Sequence, residues 1–213
     1  MKTRILKLLL ASFLFLNVAH ANEEAVLNAA NVFSIMMRQS TNSIPEDVLR
    51  NAKAIAIIPN SFRVGFIISG AGGNGVMSVK QDGVWSYPVF VSIGSGNIGL
   101  QAGIEKSNKL IVFLTSESVN KVINGGLKLG GDATVAAGPI GVSKDNIFTA
   151  DVYTYAHGKG LFAGVALGGL SISLDDDNTK ITYGFDAKEI LSGKRPATQP
   201  YAVTRFLDVI NRY

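Results

Sequence analysis

The chain has 213 residues, with 20 Lys+Arg against 16 Asp+Glu, 23 glycines, no cysteine, 47% apolar and 17% charged residues. This balance excludes a disordered chain, and the missing cysteine excludes a disulfide scaffold and any cysteine-ligated zinc or iron–sulfur site. The length suits one domain or two small ones with a substantial core, and the formal charge of +4 raises nucleic acid or anionic lipid as partners until the positions of the charges are known.

Residues 1–21 carry the three parts of an export signal in order. Lys2, Arg4 and Lys7 form a positive start, 8–16 is apolar except for Ser12, and Ala19-His20-Ala21 supplies the small–x–small pattern cut by a signal peptidase. A spanning helix needs about 20 apolar residues, and Asn22, Glu23 and Glu24 follow too soon. A cleaved signal over 1–21 is expected, leaving 22–213 as a single domain in the periplasm or secreted. Lipid attachment at the cleavage point needs a cysteine and is ruled out.

The remainder opens with a helix over 22–40, because Val26, Ala29, Ala30, Phe33, Met36 and Met37 recur at helical spacing on one face. Ser43-Ile44-Pro45-Glu46 reads as a capping box that starts a short helix through Val48, Leu49 and Ala52. After Lys53 the texture changes to short runs rich in Ile, Val and Phe between Gly, Asn and Asp. Strands are expected near 54–58, 63–69, 75–80, 85–92, 99–105 and 110–115, with Gln81-Asp82-Gly83 as a hairpin turn. A helix over 116–124 ends at Gly125-Gly126, and more strands follow near 133–137, 151–156, 163–174 and 180–185. Asp186 caps a helix over 187–191 closed by Gly193, and Thr198 caps a last helix with Val203, Phe206, Leu207 and Ile210 on one face. The expected class is α+β and β-rich, an antiparallel barrel- or sandwich-like sheet with N-terminal and C-terminal flanking helices.

No catalytic constellation assembles. Gly70-Ala71-Gly72-Gly73-Asn74-Gly75 and Gly94-Ser95-Gly96-Asn97-Ile98-Gly99 match the dinucleotide fingerprint, but both lead into strand-like sequence and not into the helix that would meet a pyrophosphate. No nucleotide and no cofactor are expected. His157 is the one histidine left after 1–21, and no serine sits in a nucleophile elbow. Asp175-Asp176-Asp177-Asn178 gathers hard oxygen ligands, yet Lys180 and Asp186 stand where a calcium loop needs Gly and Glu, so a polar hairpin is the preferred reading and no metal is expected. The lysines are dispersed singly, which argues against nucleic acid.

Several strings in register resemble the SYLF lipid-binding domain family: 49–59, Gly83-Val84-Trp85-Ser86-Tyr87-Pro88, Gly99-Leu100-Gln101-Ala102-Gly103, 129–141 and 155–164. The match runs from about Ile44 to Ile210. It implies a compact β-rich domain with flanking helices, no known enzymatic activity and, in eukaryotic members, binding to phosphoinositide membranes and to actin. Combined with the export signal, it points to an exported bacterial member. Basic residues often stand in the family where this chain has Asn74, Val142 and His157, which weakens strong anionic headgroup binding.

The expected function is a non-enzymatic exported envelope protein that binds lipid or a membrane surface. Phe33, Met36 and Met37 are the candidate apolar contacts, and Lys53, Arg63, Lys128 and Lys159 the candidate headgroup partners. The alternative is a structural or protein-interaction module of the periplasm without lipid dependence, and a third reading is a hydrolase using Ser or Asp with His157. Removal of Lys2, Arg4 and Lys7 leaves 17 Lys+Arg against 16 Asp+Glu. Long-range attraction to anionic surfaces is therefore weak, and any lipid binding must rest on local pockets.

Overall fold

The computed structural model describes residues 2–38, 44–65, 69–97, 103–141, 149–158, 161–165 and 167–213. Helix α1 (Lys2–Met37) runs without a break through residue 21 and stops three residues before the expected end. Its second half buries Val26, Ala29, Ala30, Phe33 and Met36. Helix α2 (Glu46–Asn51) begins after Pro45, which serves as N-cap with no side-chain hydrogen bond. The Ser43 half of the expected capping box lies outside the described residues.

The sheet follows: β1 (Ala54–Gly65), β2 (Ser69–Gln81), β3 (Val84–Trp85), β4 (Val89–Asn97), β5 (Gly103–Phe113), then helix α3 (Ser116–Ile123), β6 (Leu127–Lys128), β7 (Val135–Ala137), β8 (Val152–Gly158), β9 (Leu161–Gly164) and β10 (Ser171–Leu174). Their order is β6-β10-β4-β2-β1-β5-β8-β7, with β3 added to β2 and β9 to β8. Among the described residues, every pairing between these strands is antiparallel except β7 with β8, so the sheet is mixed where an antiparallel one was expected. Helices α4 (Asp176–Tyr183), α5 (Ala187–Leu191) and α6 (Tyr201–Ile210) complete the chain.

Ala54 to Ile58 are all buried. Successive strand side chains point to opposite faces, so β1 is covered on both. Val76 and Met77 of β2, Val89 to Val91 of β4, Leu110 to Phe113 of β5 and Val152 to Tyr155 of β8 continue this core. Helix α6 closes it against α1 with Val203, Phe206 and Ile210, and Tyr213 meets the Phe33 ring edge-on at 5.9 Å.

Two expected strands, 54–58 and 63–69, belong in part to one long β1. Its register slips against β2 between Ile57 and Phe62 and against β5 between Ile58 and Ser61, and Asn60 sits at φ 49. Pro59-Asn60 is therefore a bulge that bends the strand without ending it. Gly75 faces it: a Cβ there would lie 2.0 Å from the Ile57 carbonyl oxygen, so only glycine fits. The 99–105 and 110–115 runs likewise meet in β5, with 98–102 outside the described residues. The 85–92 run splits into β3 and β4 at Pro88, which has no amide to give. The 163–174 run splits around a turn with Gly169 at φ 84.

The largest correction is 180–185, expected as a strand: residues 180–183 are the second half of α4. Asp175 caps this helix by accepting from the Asn178 amide, Thr179 and Tyr183 are buried one turn apart, and Gly184 ends it in the left-handed region. The acidic run is a helix start and not a hairpin. Pro200, not Thr198, precedes α6. Asp82-Gly83 forms the expected hairpin turn, with both residues at positive φ, and Asp186 with Glu189 makes a full capping box on α5.

Candidate functional site

Phe33 and Met36, taken from the sequence as apolar contacts, are fully enclosed between α1, the sheet and α6. They form core and present no free face. The helical spacing that selected them is the same for a core stripe as for a membrane stripe. Met37 is half-buried against that core. Arg63 stands in β1 opposite Ala71 and Glu105, with its side chain outside the described set, and Lys159 lies outside the described residues. Lys53 and Lys128 are exposed, but at separate places. Lys128 is on β6 at one end of the sheet order, and Lys53 precedes the central β1.

Of these, Lys53 lines a cavity, a polar cleft of about 300 Å³ shared with Asn51, Thr115, Thr134, Thr149 and Asp151. Three neighbouring strands build it where they end on the same side. The Lys53 amide donates to the Phe113 carbonyl at 2.7 Å, the Leu114 amide to the Asp151 carbonyl at 2.8 Å, and the Lys53 carbonyl accepts from the Lys80 amide at 2.8 Å. The lysine backbone is thus pinned on both sides while its side chain stays exposed. Thr115 caps α3, accepting from the Ser118 amide, so the positive end of that helix is aimed at the cleft.

Asp151 is held tightly on the opposite wall. One carboxylate oxygen accepts from the Thr134 hydroxyl at 2.6 Å and from the Thr134 amide at 2.9 Å, and the Asp151 amide donates back to the Thr134 hydroxyl oxygen at 2.9 Å. These bonds, chiefly those from Thr134, hold its carboxyl below the ordinary carboxylate range, with Thr115 and the charge of Lys121 adding to them. Among the described residues, the cleft therefore carries one exposed ammonium, one ionised carboxylate and several hydroxyls. That set can bind a polar group bearing both signs of charge.

The sequence reading named Lys53 but none of Thr115, Thr134, Thr149 and Asp151. A Thr or Asp immediately after or before an apolar strand is the only local signal they carry, and many non-functional turns share it. His157 is half-buried on β8 opposite Asn108, and its side chain makes no hydrogen bond among the described residues. Among the described residues, no group of three or more acidic or His side chains gathers to hold a metal, and no helix is long and apolar enough to cross a membrane.

The family model described as "Ysc84: Las17-binding protein actin regulator" matches residues 94–213. LAS seventeen-binding protein 3 of Saccharomyces cerevisiae is 36% identical over 170 residues, covering 74% of this chain and 37% of that protein. SH3 domain-containing YSC84-like protein 1 of Homo sapiens is 35% identical over 161 residues, covering 72% and 47%. SH3 domain-containing protein PJ696.02 of Schizosaccharomyces pombe is 34% identical over 178 residues, covering 79% and 41%. The chain spans about a third to a half of the length of these curated relatives.

Proposed function

Since the chain belongs to the Ysc84/SYLF family and is a non-enzymatic interaction module, we propose that it is exported by its N-terminal leader and binds the headgroup layer of a membrane through the Lys53 cleft. The observation that carries this reading is the placement of Lys53: an exposed cation at the mouth of a hydroxyl-lined cleft, with its backbone fixed at both ends. Asp151 on the far wall disfavours a headgroup of purely negative charge and suits one that carries an amine beside its phosphate. With 17 Lys+Arg against 16 Asp+Glu beyond residue 21, attraction at a distance contributes little, and affinity comes from contact in the cleft.

Vesicle co-sedimentation tests this reading. The protein is expected to pellet with phosphatidylethanolamine-containing vesicles at moderate salt, and Lys53→Glu to weaken that binding about tenfold, the worth of one charge-assisted hydrogen bond. Because the two proteins differ only at residue 53, any contribution from residues 1–21 is common to both. Equal binding by the parent and Lys53→Glu would remove the cleft from the account.

A second reading, a protein-docking module, has its own observations. Two relatives are named for binding another protein or for carrying an SH3 domain, and Leu161 and Ile140 stand 76% and 44% exposed beside β9 and β7. It predicts that Leu161→Asp abolishes recovery of a crosslinked partner and leaves vesicle binding intact.

A further inference from the structure

Beside the β1 bulge, away from the Lys53 cleft, lies a second cavity of about 270 Å³ whose rim carries five asparagines. Asn22 and Asn28 come from α1, Asn60 from the bulge, Asn74 from β2 and Asn178 from the first turn of α4. Only Asn60 is in a backbone conformation that favours asparagine, at φ 49. The others sit in helices or a strand, where asparagine is a poor former because its amide competes for backbone bonds. Local folding accounts for Asn60 and, through its side-chain bond to the helix cap Asp175, for Asn178; it does not account for Asn22, Asn28 and Asn74 meeting them at one cavity, and such departures from local preference concentrate at functional sites.

Their hydrogen bonding leaves donors and acceptors open in nearly equal supply. The Asn22 amide nitrogen donates to the Asn178 carbonyl at 3.2 Å and to the Thr182 hydroxyl oxygen at 3.0 Å, which leaves its side-chain oxygen for the cavity. The Asn178 amide nitrogen donates to Asp175 at 2.8 Å, again leaving an oxygen. The Asn74 side-chain oxygen accepts from the Ser92 hydroxyl at 3.1 Å and leaves two N–H donors. At Asn60 the backbone amide donates to the Asn108 side chain, and its own side chain makes no hydrogen bond among the described residues; the same holds for the Asn28 side chain. Among the described residues, no Lys, Arg or His lines the cavity. The charged group among the described lining residues, Asp175, already accepts from the Asn178 backbone amide and side chain as the cap of α4. Phe90, Val91, Ala25 and Pro59 supply apolar wall.

We propose that this cavity is a binding site for an uncharged polyhydroxylated ligand, a sugar ring of a glycan. A hydroxyl group both donates and accepts, which matches carboxamides that offer one function each way. The apolar wall suits the C–H faces of a pyranose, the usual division of labour in a small-molecule pocket. The volume equals that of about nine liquid waters, enough for a hexose. An anion would find no countercharge among the described lining residues, and a calcium ion would find one carboxylate already engaged, where it prefers several oxygens free to close around it. The inference does not depend on membrane binding, since it uses other residues.

Amide ¹H–¹⁵N spectra of the protein, titrated separately with glucose, cellobiose and N-acetylglucosamine, test it. At least one sugar is expected to give saturable shifts in the asparagine side-chain amides and at the β1 bulge, with Asn28→Ala and Asn74→Ala each weakening binding about tenfold. Both side chains are exposed, so the variants are expected to melt with the parent, which a thermal scan verifies. Three results would overturn the proposal: no shift with any of the three sugars into the millimolar range, unchanged titration in both variants, or the same shifts produced by inorganic phosphate or calcium in place of a sugar.

Discussion

Thr134 grips Asp151 through its amide and its hydroxyl, and that double contact fixes the acidic wall of the Lys53 cleft. Because the folded carboxyl lies below its ordinary value near 4, its contribution to stability is fully present above that pH and is lost as pH falls through the folded value. Thr134→Val removes the hydroxyl donor. The Asp151 carboxyl is then expected to titrate closer to 4 in a ¹³C-detected NMR series, and the acid loss of stability attributable to it to shrink. Close packing is as local. A Cβ on Gly138 would lie 2.1 Å from the buried Tyr155 ring, so Gly138→Ala is expected to cost about 2–3 kcal/mol in urea unfolding. The Asp82-Gly83 turn was legible in the sequence because its φ signs depend on those two residues alone. Neither the Gly138 contact nor the Thr134 clasp was, since each joins residues 17 apart through a parallel strand pair that no short pattern encodes.

Helix α4 shows how elements escape such patterns. Lys180-Ile181-Thr182-Tyr183 has the β-branched and aromatic character of a strand, yet capping by Asp175 and burial of Thr179 and Tyr183 make it a helix. Asp175→Ala is expected to lower stability by about 1 kcal/mol, as loss of an N-cap does, and to leave calcium without effect on the melting temperature. Helix α1 has the expected periodicity, and Phe33 and Met36 pack inward because α6 and the sheet meet that face. Phe33→Ala is therefore expected to cost about 3–5 kcal/mol in chemical denaturation. Had this helix met the membrane through Phe33, the same change would lower vesicle binding at unchanged stability. Long β1 hid behind its bulge, because Pro59-Asn60 in a sequence is indistinguishable from a turn between two strands.

At the scale of the whole molecule, the class was legible, since dense short apolar runs between glycines leave few alternatives to a β-rich sheet flanked by helices. The order of strands was not. Central β1 lies between β2 and β5, and β10 returns to pair with β4 across a long stretch of chain, which is set by tertiary burial and not by neighbours in sequence. The Lys53 cleft exists only because three strand ends meet, so its sequence signal was one lysine among many. The near-neutral charge beyond residue 21 makes the position of that lysine, not the total, decisive.

The absence of cysteine allows a single label to report position cleanly. An environment-sensitive fluorophore on Asn51→Cys, at the cleft, is compared with one on Asn28→Cys, by the bulge cavity about 20 Å away along β1 at about 3.3 Å per residue. With phosphatidylethanolamine-containing vesicles, the Asn51 label is expected to shift to the blue and the Asn28 label to stay unchanged. A shift at Asn28 alone, or at neither position, would contradict headgroup binding through the Lys53 cleft.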